Sequence, residues 1–342
     1  MKRSVYIAHD GATLRREGEL LVVTARREKV SEVPLRDVEQ LVLLGNVTVT
    51  PAAMASLADR GIDTVFLAAS GRYRARLVGA GSSNVRLRLA QYRAFTDDDT
   101  VRDVARRIVR GKIAAQRVML LRWARRTPDD PEGRAAQDRL VRAQRALRAA
   151  LVRLELADTP DEIRGVEGSA SAAYFRALGA AIRDPGFRFD GRNRRPPLDP
   201  VNALLSLGYT LLLQQVESAI QVVGLDPWLG TLHAPLASRP SLACDLMEEH
   251  RAPLVDALVV AAIAQQAFRP DDFEEVGPGE PVLVKRATVR WMVTLFERRL
   301  QRKVLVPELG VRLTYRDLLV QQTRKLARHV LGEEPYEPWV PR

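Results

Sequence analysis

The chain has 342 residues, 46% hydrophobic and 28% charged, and a mass of 38.2 kDa. That composition supports a sizeable core in one or two domains and excludes wholesale disorder. Lys+Arg total 53 against 42 Asp+Glu, a formal charge of +11, which favours polyanionic partners, nucleic acid first.

Only six of the 53 basic residues are lysine, and the rest are arginine. The planar guanidinium fork suits phosphate, although a GC-rich genome enriches arginine as well. Apolar runs such as residues 254–263 fall well short of the roughly 20 residues a membrane helix needs. The N-terminal segment shows no apolar signal region. The single cysteine, Cys244, excludes an intramolecular disulfide and a cysteine-rich zinc site. A cytoplasmic protein without membrane contact is expected.

In chain order, the first 84 residues read as β structure. Short runs at 4–7, 20–24, 38–44 and 64–67, rich in Val, Leu and Ile, are bounded by turn residues at Asp10-Gly11, Glu17-Gly18, Gly45-Asn46 and Ser70-Gly71. Asp10-Gly11 predicts a hairpin. Thr50 and Pro51 open one helix that Gly61 closes, and 72–78 reads as a last strand.

Composition changes at 79–84 (GAGSSN), and helical periodicity takes over. Helices are expected over 101–126, 135–156, 166–178, 202–223, 241–267, 288–303 and 315–331. The loops at 184–199 and 224–240 are rich in Gly, Pro and Arg, 269–281 is acidic, and the tail 332–342 is expected to fray. The fold class is therefore α+β: a small N-terminal β-sandwich or sheet domain (1–84), then a larger all-α domain (85–342).

Four histidines are present, and His9 and His329 sit in ordinary contexts. His233 lies in the loop WLGTLHAP, twelve residues before Asp245 in SLACDLMEEHR. Glu248 follows Asp245 by three residues and shares its helical face. Asp256 returns to that face if the helix continues through Pro253. One imidazole with carboxylates suits Mg²⁺ or Mn²⁺. The competing structural role is helix capping by both acids. His250, five residues after Asp245, points round the helix. Glu167, between Gly165 and Gly168 ahead of small residues, is a third carboxylate, or else a dipole-favoured residue near a helix start. Arg192, Arg194 and Arg195 in the loop RNRRPPLDP are candidates for phosphate contacts, as are Lys285 and Arg299. No phosphate-binding GK[ST] loop, GxGxxG or GxSxG motif occurs.

Taken together, YIAHDGATLRREGELLVV, VPLRDVEQLVLLGNVTVTPAAMASLADRGIDTVFLAASGRYRARLVG, GVEGSASAAYF, RRPPLDPVNALLSLGYTLL and LHAPLASRPSLACDLMEEHRAPLVDALV, in this order, resemble the CRISPR-associated integrase-endonuclease family, the catalytic subunit of the spacer-acquisition complex. The resemblance spans nearly the whole chain. It implies a β domain serving dimerisation and a helical catalytic domain. It carries the metal-binding glutamate to Glu167, the histidine to His233 and the aspartate to Asp245, with Glu248 at a further acidic position. Cys244 becomes a packing neighbour.

The implied activity is a Mg²⁺- or Mn²⁺-dependent transesterification. It joins 3′-hydroxyl ends of a double-stranded protospacer into the CRISPR repeat, and DNA is cut when water replaces the hydroxyl. The implied partners are that DNA, a second copy of the chain and a small ferredoxin-like companion protein. His233 is either a ligand or a proton carrier. Two other readings stand beside it: a stand-alone nuclease for branched DNA, which uses the same residues, and a non-catalytic nucleic-acid-binding scaffold whose carboxylates are helix caps.

Overall fold

The computed structural model describes residues 3–77, 79, 84–193, 196–233, 236, 239–275, 277 and 279–342. The N-terminal part is a sandwich of two four-stranded sheets. One contains β1 (Arg3–Ile7), β5 (Val38–Leu44), β7 (Asp63–Leu67) and β8 (Tyr73–Leu77), in that order. The other runs β4 (Glu28–Pro34), β3 (Leu20–Ala25), β2 (Ala12–Glu17), β6 (Val47–Val49). Helix α1 (Pro51–Asp59) is capped by Thr50, whose side chain accepts from the Ala53 amide, with Pro51 in its first turn.

Strand β5 explains why its sequence is almost continuously apolar. Leu41 and Leu43 fill the space between the two sheets, while Val42 and Leu44 face the helices. A strand covered on both sides loses the usual polar alternation.

Asp10-Gly11 does not make the expected hairpin. β1 pairs in parallel with β5, and β2 belongs to the second sheet, so the dipeptide is where the chain changes sheet. Hairpins form instead after β2, where Gly18 has φ +56°, and after β3, where Arg26 and Arg27 adopt φ 52° and 68°. Two arginines in left-handed geometry carry no compositional turn signal.

The remainder is mainly helical. Helices α2 (Val85–Ala94), α3 (Asp98–Ala124), α4 (Pro131–Glu155) and α5 (Pro160–Leu178) lead to α6 (Pro200–Val223). Side-chain caps from Asp97, Asp130 and Thr159 start α3, α4 and α5. Asp199 caps α6, Pro200 takes its first position, and Gly224 ends it at φ +98°. Most of α6 is buried, as its apolar sequence predicts.

Beyond it come α7 (Ser241–Leu246), a short turn α8 (Glu248–His250), a π-helical turn over Arg251–Asp256, and α9 (Ala257–Ala264). The one long helix expected over 241–267 is thus broken. Pro253 has no amide to donate and helps to widen the turn. Its carbonyl instead accepts from the Arg299 guanidinium at 2.5 and 3.2 Å.

Two short ribbons also interrupt the helices: β9 (Phe273–Glu275) with β10 (Val282–Val284), and β11 (Lys303–Val306) with β12 (Val311–Thr314). They flank α10 (Arg286–Leu300), and α11 (Tyr315–Val330) follows. The tail does not fray. Tyr336 and Trp339 are buried, and Glu337 bridges Arg107 and Arg110.

Sandwich and helices share a core through Val42, Leu44, Val65 and Leu67, and a polar seam as well. Arg76, 3% exposed, pairs with Asp63 at 2.5 Å and Glu217 at 2.9 Å. Arg316 pairs with Glu297 at 2.8 Å and donates to Ser4. Among the described residues, no helix is long and apolar enough to cross a membrane.

Candidate active site

His233 is held by its own loop. Asp245, on α7 and wholly buried, accepts from three consecutive backbone amides: Thr231 at 2.6 Å, Leu232 at 3.0 Å and His233 at 2.9 Å. The same carboxylate lies 2.6 Å from His233 Nδ1. An acceptor serving three amide donors is an acceptor toward the ring too, so Nδ1 carries the proton and Nε2 is left as the basic nitrogen.

This wrap needs Gly230. A Cβ there would lie 2.6 Å from Asp245 Oδ2, 2.7 Å from the Ser241 carbonyl carbon and 2.9 Å from the Leu242 amide. Nothing at sequence level marks that glycine except its place between Trp228 and His233.

A second cluster is organised by a residue the sequence reading passed over. Lys112, in the middle of α3 and 4% exposed at its side chain, contacts both Glu167 of α5 and Glu248 of α8. Glu248 Oε2 lies 2.7 Å from the Lys112 ammonium, and Oε1 lies 3.1 Å from Arg251. Each oxygen of this buried carboxylate thus faces a cation. Burial by itself would raise the Glu248 pKa, but Arg251, Lys112 and His233 hold it down at about 2. Glu167 stands two turns inside α5, not at its start, and Ser171 one turn on also donates to it at 2.9 Å. The available signal was a lysine four residues after Ile108, on the apolar face of α3.

The expected residues are therefore divided. Glu167 and Glu248 meet on one ammonium, whereas the partner of the His233 ring is Asp245. Both oxygens of Asp245 are engaged by the loop and the ring. Among the described residues, no three His, Cys, Asp or Glu side chains stand in a group that encloses a metal ion.

Asp256 does not join the cluster. It accepts from Tyr174 at 2.7 Å and Tyr209 at 2.5 Å, and burial raises its pKa to about 6. Tyr174 lies one turn beyond Ser171 on α5, so this buried triad braces the helix that carries Glu167.

The other candidates have structural partners. His250 is buried against Glu249 and stacks on Trp339. His329 accepts from the Tyr336 amide. Burial pushes the Cys244 thiol up to about 11, which removes it as a nucleophile. Arg192 donates to Asn202 at 2.7 Å and Ser206 at 3.0 Å, and packs over Tyr209. Arg299 is tied to Pro253, and Lys285 donates to the Asp271 carbonyl at 2.5 Å. Arg194 and Arg195 lie outside the described residues.

The fold is thus a β-sandwich joined to a helical body that carries two carboxylates on one buried lysine. The family model for CRISPR associated protein Cas1 matches residues 5–298. The chain is 40% identical over 341 residues to CRISPR-associated endonuclease Cas1 3 of Thermus thermophilus, covering 99% of this chain and 97% of that protein. The chain belongs to the Cas1 family.

Its fold matches a casposase bound to integration product (TM-score 0.83, 23% identity, 98% of this chain and 92% of that one). It also matches a chain of a Cas6-RT-Cas1–Cas2 complex (TM-score 0.82, 24% identity, 99% of this chain and 36% of that one).

Proposed function

We propose that the protein is a DNA integrase and endonuclease of CRISPR adaptation, working with a divalent cation at Glu167, His233 and Glu248. The observation that carries this reading is the Lys112 ammonium touching two carboxylates from different helices. The cluster already accommodates a cation between its two carboxylates. Two carboxylates and a neutral imidazole make an oxygen-rich donor set that fits Mg²⁺ or Mn²⁺, provided the ammonium gives way. Asp245 is better assigned to orienting His233 than to ligation, because its oxygens are engaged elsewhere.

A bound ion would polarise a phosphodiester and stabilise charge on its oxygens. The chain's own residues supply the rest. Asp245 fixes the tautomer and direction of His233. Lys112, displaced from between the carboxylates, keeps a positive charge next to the phosphate. In the reaction, a DNA 3′-hydroxyl attacks phosphorus, forming one P–O bond as the bond to the leaving 3′-oxygen breaks. The attacking oxygen loses a proton and the leaving oxygen gains one. One phosphodiester replaces another, so no nucleotide hydrolysis is required. With water as nucleophile, the same step cuts DNA.

The fold likeness to a casposase bound to integration product supports joining, and the printed name of the Thermus relative supports cutting. The likeness to a chain of a Cas1–Cas2 complex supports the companion protein expected from the sequence, and we assign pairing of two copies to the β-sandwich.

The test is strand transfer on a branched DNA that mimics a half-integrated product, with Mn²⁺ or chelator, using wild type, His233→Ala and Glu248→Gln. Metal-dependent joining that both variants lose is the expected result. Cutting without joining would establish a branched-DNA nuclease instead. Turnover that persists in chelator would refute the metal assignment.

A further inference from the structure

Away from the Lys112 cluster, a cavity of about 850 Å³ opens between the C-terminal ends of α3, α9 and α10 and the loop after α5. Its size lies within the range of about 300–1,000 Å³ typical of small-molecule sites. Five arginines line it, Arg122, Arg126, Arg183, Arg299 and Arg302, against one acid, Asp184. Trp123, Met119 and the α9 residues Ala257, Leu258 and Ala261 form an apolar wall.

Arginines near helix C-termini have an ordinary explanation, since each such end carries about half a negative charge. Three ends and one carboxylate do not balance five guanidiniums. The imbalance is visible in the groups themselves. Burial, with Arg302 and Arg126 adding, pushes the Arg122 guanidinium below its ordinary value. Burial, with Arg302 and Arg122 adding, does the same to Arg299.

Internal partners absorb part of the charge. Arg122 donates to the Arg342 backbone oxygen, Arg299 to the Pro253 carbonyl, and Arg183 to Asp130 at 3.4 Å. The acid lining the cavity, Asp184, accepts from the Gly186 amide. Arg126 and Arg302 stand exposed at the rim. A site with guanidiniums at its mouth and an indole in its wall combines the two elements of nucleotide recognition: charge-assisted bonds to phosphate and stacking for a base.

We propose that this cavity binds a nucleoside phosphate, with the phosphate on Arg126 and Arg302 and the base against the Trp123 wall. That chemistry has two sources, a free nucleotide or one unit of a single DNA strand. The exposed Arg126 and Arg302 at the rim would meet the phosphate of either source. The strand source rests on the function proposed above; binding of a nucleoside phosphate does not.

The experiment is equilibrium binding of a fluorescein-labelled thymidine pentanucleotide to the full chain in chelator, with unlabelled dTMP and ATP as competitors. The variants are the double substitution Arg126→Glu/Arg302→Glu and Ala261→Trp, which fills the cavity without changing charge. Each variant is expected to weaken the pentanucleotide by about tenfold or more, while thermal stability and duplex binding hold. Competition by free dTMP or ATP would identify a free nucleotide as the ligand, and pentanucleotide binding without such competition would identify a strand; both support the site. No binding by wild type overturns the proposal. So does loss in the charge variant with wild-type affinity in Ala261→Trp, because diffuse electrostatics would then explain everything. Chelator silences metal-dependent joining, so failure of the integrase reading and failure of this site are read separately.

Discussion

Replacing Lys112 with methionine tests the core of the site directly. Methionine keeps the volume and the helix propensity of α3 and removes only the ammonium. The Lys112 and Glu248 side chains are 4% and 3% exposed, so water cannot replace the lost partner. Breaking a buried pair by removing one member costs about 3–5 kcal/mol. Arg251 remains 3.1 Å from Glu248, which favours the lower end, about 3 kcal/mol, or roughly a hundredfold in the folding equilibrium.

The deficit also has a pH signature. Glu248 is held at about 2, below its ordinary 4.5. Its stabilisation is therefore present above about pH 4.5 and fades as pH falls toward 2. Urea unfolding followed by far-UV circular dichroism, in chelator, reads both.

Added Mn²⁺ separates a structural lysine from one that stands in for a cation. An ion that binds only the folded state stabilises it by about 2.7 kcal/mol at a hundred times its Kd. In wild type that gain is reduced by displacing the ammonium; in Lys112→Met it is not. Mn²⁺ is expected to close most of the gap between the two proteins. Equal stabilisation of both would refute the exchange argument, and a variant as stable as wild type in chelator would refute the pair itself.

Asp256 predicts a limb of opposite sign. Its pKa is raised by burial from 3.8 to about 6, so its contribution is complete below pH 3.8 and is lost as pH rises through 6, a change of about 3 kcal/mol. The stability difference between wild type and Asp256→Asn in chelator should follow that curve, and a flat difference would sink the assignment. Gly230→Ala is expected to abolish joining while the far-UV spectrum survives. Its Cβ would fall on backbone at 2.7 and 2.9 Å and on Asp245, dislodging the amides that hold His233; wild-type turnover would show that the loop has room.

The fold class was legible because β5 and α6 announce themselves. One is a short apolar run between turns, and the other is a long apolar stretch with Asp-Pro at its start and glycine at its end. Hairpins were less legible. Asp10-Gly11 has the favoured composition but joins two sheets, whereas Arg26-Arg27 turns the chain without it. Turn composition reports what a backbone tolerates, and strand partnership is decided by tertiary packing. The break at Arg251–Asp256 has the same cause: Pro253 is visible in sequence, but the guanidinium that takes up its carbonyl comes from Arg299, 46 residues on.

The division of labour among the acids follows from contacts between distant segments. Asp245 and Glu248 are three residues apart and look alike in sequence. One turns toward three amides of the preceding loop, and the other toward a lysine 136 residues earlier in the chain. Helical periodicity brings both to one side of the chain, but it cannot say which meets a donor that stays and which meets a cation that can leave. An oxygen bound by backbone amides is released only by giving up several hydrogen bonds at once. An oxygen bound by a lysine at the end of four rotatable bonds can exchange partners at the cost of a side-chain rotation. On the function proposed above, the two carboxylates with the exchangeable partner, Glu167 and Glu248, are therefore the pair that would take up a divalent ion, while Asp245 holds the histidine loop.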